Sequence, residues 1–228
     1  RQSLRVVEAL EKNGDGLNLT AEVRQGIASH SKPQGDFLSP DLIGDLHLEG
    51  QIVRVSDAVA YLNHDLMDAF RAGVIDEGQV PVGVFDVLGA RHSQRIDRIV
   101  TDIVQNSTFA ADEDGTIGDT PVITMGPTVR QAVNDFRAFM FERVYVPEDV
   151  GEHGRSARAI VKLLFDYYSG NPGEIPPEYR LMAERDDRSL VDYISGMTDH
   201  YAMRRGEILQ PGISGPLKGW LSVQAQPC

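Results

Sequence analysis

The chain has 228 residues, 34 acidic against 22 basic, giving a net charge of −12, and 41% of its residues are hydrophobic. This is the composition of an ordinary globular protein with enough chain for a core, and its average surface repels the phosphates on which duplex-DNA affinity is built. No apolar run approaches the ~20 residues that span a bilayer, no secretory signal opens the chain, and the single cysteine, Cys228, allows neither an intrachain disulfide nor a paired-cysteine metal site.

In chain order, the spacing of Leu4, Val7 and Leu10, with no capping residue before it, predicts that the sequence opens inside a helix. Residue 1 is Arg rather than Met, and the two features together predict a portion of a longer protein. A second helix begins near Thr20. The strongest periodicity runs from Leu48 to about Val74, where Ile52, Val55, Val59, Leu62, Leu66 and Ala69 recur in steps of three and four. It predicts a helix of ~40 Å, ended by Gly73. Ser93 is placed to cap the next helix, with Ile96, Ile99, Val100 and Ile103 on one face, and Pro127 to open another carrying Val129, Val133, Phe136 and Met140.

Residues 155–169 are apolar on most sides and read as a central helix, stopped by Asn171-Pro172-Gly173. Pro176-Pro177 starts a short helix, and a last long one is predicted from about Asp187 to Arg204. Strand evidence is confined to Pro121–Met125, which follows an acidic loop over 112–119. Composition shifts nowhere sharply enough to cut the chain, so residues 1–228 read as one all-α domain.

The long helix carries the chemistry-bearing residues. Asp57, Tyr61, His64, Asp65 and Asp68 fall on one side of it, opposite or flanking the Val55/Val59/Leu62/Leu66 seam. Spacing alone favours a solvated acidic face, the usual setting of such residues on a helix. Against that reading, Arg54 and Arg71 bracket sixteen residues without Lys or Arg, so local ion pairs do not answer the carboxylates, and an external cation or a ligand would. Walker-type, dinucleotide-binding, HExxH and calcium-loop patterns are all absent.

Three segments carry a resemblance. Leu48–Asp65 with its continuation Asp68–Gly73, Gly16–Ser31 with its Gly16-Leu17-Asn18-Leu19-Thr20 opening, and Asp192–Ala202 resemble, in order and spacing, bacterial deoxyguanosine triphosphate triphosphohydrolases, members of the HD-domain metallohydrolases. The likeness runs from Gln2-Ser3-Leu4-Arg5 to about Ala202 and implies the C-terminal portion of an HD-domain-like helical bundle. The implied reaction converts a deoxynucleoside triphosphate and water to the deoxynucleoside and intact triphosphate. The implied cofactor is a divalent metal, Mg²⁺, Mn²⁺ or another transition metal, held by a His, a His-Asp pair and a distant Asp. By position in Arg54-Val55-Ser56-Asp57, the resemblance assigns the last ligand to Asp57; it places Tyr61 against the deoxyribose, where it would exclude a 2′-hydroxyl, and makes Asp65 the acceptor for the 3′-hydroxyl.

The dipeptide His64-Asp65 falls after the Asp57 position, so His64 is expected at the rim of the pocket and not on the metal. The early His and His-Asp pair would precede Gln2, and no later pair substitutes, because His92, His153 and His200 stand on separate segments. The His and Glu that the family uses as acid and base would likewise precede Gln2, so the catalytic groups are unassigned here, and a single carboxylate is not a tight divalent-metal site. His30, Arg143, Arg155 and Arg158 are weaker candidates for phosphate contact, and Thr198-Asp199 reads as a cap. The resemblance implies homo-oligomers, while the lone cysteine and the absence of a long apolar run make the cytoplasm, with no membrane partner, the expected location. The alternative function is an inactive helical module that binds nucleotides or single-stranded DNA and mediates assembly.

Overall fold

The computed structural model describes residues 2–30, 36, 38–39, 46–107, 122–181 and 186–217, without the side chains of 181, 186 and 187. Their regular structure is helical: α1 (Gln2–Arg5), α2 (Ala21–Ser29), α3 (Leu48–Arg71), α4 (Val82–Leu88), α5 (His92–Asn106), α6 (Pro127–Met140), α7 (Val146–Val150), α8 (Glu152–Gly170), α9 (Pro177–Leu181), α10 (Asp186–Ser195) and α11 (Asp199–Leu209). The all-α expectation holds for these residues, where Val122 makes one isolated bridge and the run to Met125 forms no strand. The acidic loop over 112–119 lies outside the described residues. No described helix is long and apolar enough to cross a membrane.

Contacts divide the chain into two compact units, one formed by Leu19–Tyr145 and the other by Gln2–Asn18 with the part after Val146. In the first, α3 is the central element. His47 caps its start, with Nδ1 accepting from the Gly50 amide at 3.1 Å, while Nε2 reaches the Glu22 carbonyl at 2.7 Å and ties α3 to α2. The two helices approach closely where Gly26 faces Gly50, since a Cβ on either would lie 3.7 Å from the other's Cα. At the far end the predicted boundary near Val74 is three residues long: Gly73 turns at φ +66°, and the Val74 amide bonds back to Ala69, closing the helix at Arg71.

The seam of Val55, Val59, Leu62 and Leu66 is buried, together with Ile99 of α5 and Val129, Phe136 and Met140 of α6. Ile52, expected in it, is exposed, and Gln51, Arg54 and Asn63 are buried instead. All three have tertiary partners, Arg54 among them through the Ser29 carbonyl. Gln51 donates to the Leu46 carbonyl and accepts from the Ile123 amide, both at 2.8 Å, and Asn63 accepts from Arg95 Nε at 2.9 Å.

In the second unit, α1 runs into a π-helical turn, Val6–Leu10, and a tight loop in which Lys12 and Asn13 have positive φ. Helix α8 buries one stripe, Ser156, Ile160, Leu164 and Tyr168, while Val161 and Phe165 are exposed. It is therefore amphipathic and not apolar on most sides as the composition predicted. The predicted last long helix is two, because the chain leaves helical geometry after Ser195 and Thr198 caps a fresh start, accepting from the Tyr201 amide at 3.3 Å.

Asp192 of α10 anchors this unit. Its residue exposure is 1%, and Arg5 Nε and Nη2 both reach Oδ2 at 2.7 Å while Gln2 reaches Oδ1 at 3.0 Å. Burial opposes its ionisation, but the hydrogen bonds from Arg5 and Gln2 and the charges of Arg5 and Arg188 hold the carboxyl below the ordinary range. A carboxyl lowered on folding adds stability above its unfolded value, and that stability is lost as pH falls through the folded value. Asp192→Ala is expected to remove about 3–5 kcal/mol from this unit by stranding Arg5. Urea unfolding at pH 7 and pH 3 checks it: the gap between wild type and variant should narrow at pH 3.

Candidate functional site

Helix α3 displays the predicted stripe. Asp57 and Asp65 are half-buried, Tyr61 is 63% exposed, and the four-residue spacing puts all three on the side away from the buried seam. At the end of the same stripe Asp68 is exposed and pairs with Arg71 at 3.2 Å.

Asp65 is engaged from another element. The continuation of α6 over Phe141–Tyr145 is a π-helical turn, an irregularity that redirects side chains and recurs at functional sites. From it Tyr145 donates its hydroxyl to Asp65 Oδ2 at 2.8 Å. Burial pushes the Asp65 carboxyl up, the charge of Asp68 adds to this, and the Tyr145 hydrogen bond and His64 oppose it. The Tyr145 phenol is itself pushed well up, first by burial and then by the carboxylate it serves, so it stays a donor at every physiological pH. One Asp65 oxygen is occupied by this donor, which leaves Oδ1 as an acceptor on the stripe.

Two buried guanidiniums complete the surroundings. Arg137 of α6 lies over the Phe141 ring at 5.4 Å. Burial lowers its pKa, Arg54 of α3 lowers it further, and Tyr145 and Asp36 act the other way, so Arg54, Arg137 and Tyr145 share one electrostatic environment. Arg54 donates to the Ser29 carbonyl at 2.6 Å. Of the stripe carboxylates, Asp68 is answered by Arg71 at the end of α3, while Arg137 acts on Tyr145, the donor that holds Asp65. Spacing could not have found Tyr145, because it reaches the stripe only through the packing of the α6 continuation on α3.

The remaining candidates separate. His64 meets His92 of α5, ring centroids 5.1 Å apart, so two histidines that stand on separate segments of the sequence are neighbours in the fold. His30 donates to the Ile27 carbonyl at 2.6 Å and so serves the end of its own helix. Arg143 is exposed. In the other unit, Arg155 donates to the Val150 carbonyl at 2.6 Å and Arg158 pairs with Asp149 at 2.5 Å. Both are committed to the last residues of α7, just before α8.

Among the described residues no group of three or more His, Cys, Asp or Glu could hold a metal ion. Asp57 alone therefore does not make a metal centre, and these residues supply at most one arm of it. What the stripe offers is a carboxylate, an exposed phenol and a carboxylate whose free oxygen can accept from a hydroxyl.

A family described as a phosphohydrolase-associated domain matches residues 123–207. The chain is similar to deoxyguanosinetriphosphate triphosphohydrolase-like proteins from several bacteria. It is 38% identical to the one from Caldanaerobacter subterraneus subsp. tengcongensis over 207 residues, 89% of this chain and 55% of that relative. To the Clostridium tetani protein it is 38% identical over 203 residues, 88% of this chain and 56% of the relative. To the Bordetella pertussis protein it is 32% identical over 247 residues, 89% and 62%. The chain spans a little over half the length of the first two of these relatives.

Proposed function

Because the chain belongs to the deoxyguanosinetriphosphate triphosphohydrolase-like family of HD-type phosphohydrolases, we propose that it is the part of a deoxynucleoside triphosphate triphosphohydrolase that supplies one metal-ligand carboxylate and the sugar-contacting face. The observation that carries this reading is the α3 stripe with Asp65 held by Tyr145. In this reading Asp57 contributes one ligand to a divalent ion, Mg²⁺ or Mn²⁺, whose other ligands come from residues outside these 228. When bound, such an ion would lower the pKa of a coordinated water and neutralise phosphate charge.

The chain's own residues then bind and orient. Tyr61 lies flat against the deoxyribose, where a ribose 2′-hydroxyl would collide with its ring. Asp65 Oδ1 accepts from the 3′-hydroxyl, its carboxylate kept in place by Tyr145. Arg54 and Arg137 bring positive charge to this side of a chain of net charge −12, as a triphosphate requires.

Tyr145→Phe in the parent protein is expected to raise KM for the deoxynucleotide about tenfold, the equivalent of one hydrogen bond, with kcat changed far less. The Asp65 carboxyl loses a donor that holds it down, so the acid limb of kcat/KM is expected to move to higher pH. Steady-state kinetics from pH 5 to pH 9 checks both. The function itself is tested by incubating the parent protein with dGTP and Mn²⁺ and following products by phosphorus NMR. Triphosphate and deoxyguanosine are expected; pyrophosphate with a nucleoside monophosphate would refute the assignment.

A further inference from the structure

The start of α5 holds a buried guanidinium that makes no direct ion pair among the described residues, with Glu77 the one carboxylate whose charge acts on it. Arg95 is 0% exposed. Its Nε donates to Asn63 Oδ1 at 2.9 Å and its Nη1 to the Ala90 carbonyl at 2.5 Å, while Nη2 is buried with no hydrogen-bond partner. The rings of Phe85 and Phe136 stand 5.9 and 6.0 Å from the guanidinium carbon, so aromatic faces flank the group and no carboxylate pairs with it among the described residues. The bond to Ala90 draws the guanidinium back under the turn that leads into α5. There His92 Nε2 is a second buried nitrogen without a partner, one turn before Arg95 on the same helix. The exposed His64 touches the His92 ring from α3.

A buried charge is normally paired or hydrogen-bonded throughout, and the first turn of a 15-residue helix adds the positive end of its dipole to the same place. An unpartnered guanidinium nitrogen, an unpartnered imidazole nitrogen that becomes a donor on protonation, a helix N-terminus and an adjacent imidazole are the components of an anion site. We propose that the start of α5 binds a phosphate-class oxyanion, taken by the Arg95 guanidinium and the His92 imidazole, with His64 at its mouth. The proposal needs only this chain and does not depend on hydrolysis.

Proton linkage gives it a second signature. Burial, then the charges of His64 and Arg95, lower the pKa of His92. The charged groups acting on the cluster are His64 from α3, Arg95 from α5 and Glu77 from the turn before α4, which acts on Arg95. A bound anion cancels the repulsion, so His92 takes up a proton on binding and affinity rises as pH falls from 7.5 to 5.5.

The test is a titration of the 228-residue chain with inorganic phosphate, chloride holding ionic strength constant, followed by calorimetry and thermal unfolding. Saturable one-to-one binding with a rise in Tm is expected, together with an upward shift of the His92 ring-proton titration in NMR. Arg95→Met is expected to abolish binding. Should that variant fail to fold, His92→Leu, at a partly exposed position, is expected to weaken binding at least tenfold and to remove the tightening at low pH. A deoxynucleoside monophosphate in a parallel titration identifies the source: tighter binding than free phosphate assigns the site to a phosphate ester, and weaker binding to the free ion. Absence of saturable phosphate binding, binding unchanged by His92→Leu, or Zn²⁺ binding to the histidine pair without any phosphate response would each overturn the proposal.

Discussion

Asp57→Asn in the parent protein is expected to lower kcat about a hundredfold to a thousandfold, the range for loss of one preorganised electrostatic contact to a transition state, while the unfolding free energy changes by less than about 1 kcal/mol. The two expectations come from one fact of helix geometry. Asp57 is half-buried on the open side of α3, whereas Val55, Val59 and Leu62 fill the opposite side and hold the helix in place. The amide keeps the size and polarity of the side chain but loses the negative charge that a divalent ion would require. Leu62→Ala makes the matched control: it leaves the stripe intact and opens a cavity in the seam, so stability should fall by about 2–5 kcal/mol. Kinetics and urea unfolding on both variants separate the effects. Near-wild-type turnover in Asp57→Asn would remove the ligand assignment.

Phe136→Ala is expected to have the largest effect on stability in the first unit, about 3–5 kcal/mol. Phe136 is 0% exposed at the middle of α6, packed in the cluster that joins α6 to α3, α4 and α5. Its ring also flanks the Arg95 guanidinium at 6.0 Å. Truncation therefore leaves a cavity and opens the surroundings of a buried charge, and the second effect should place the loss toward the upper end of that range. Phe165→Ala serves as the contrast, since Phe165 of α8 is 46% exposed and its loss should cost less than about 1 kcal/mol. Denaturant unfolding followed by circular dichroism gives both values. A small effect at Phe136 would mean that α6 is not integral to the unit.

The seam of α3 was legible because a helix against a core repeats its apolar residues in steps of three and four, and Val55, Val59, Leu62 and Leu66 do so without interruption. The same periodicity placed Asp57, Tyr61 and Asp65 together on the other side. The end of α3 was harder, since Gly73 acts through a capping geometry that closes the helix two residues before it. Gln51, Asn63 and Arg95 read as surface residues in any composition-based analysis, and they are buried because their polar atoms find partners on distant segments.

The partners of the stripe were illegible for a related reason. Tyr145 meets Asp65 across 80 positions of sequence, from a π-helical turn whose register differs from that of α6. No local spacing encodes that meeting. The break between α10 and α11 was signalled by Gly196 and by Thr198 at a capping position, but an apolar stripe that continues through Met197 and Tyr201 masks it. The pairing of His64 with His92 likewise depends on the packing of α5 against α3.

The most direct measurement is the position of a bound metal in the parent protein. Anomalous scattering from crystals grown with Mn²⁺ is expected to show an ion about 2.2 Å from a carboxylate oxygen of Asp57, on the face of α3 that carries Tyr61 and Asp65. An ordered Mn²⁺ site at full occupancy with Asp57 outside its coordination shell would contradict the reading of this helix as the metal- and sugar-contacting face.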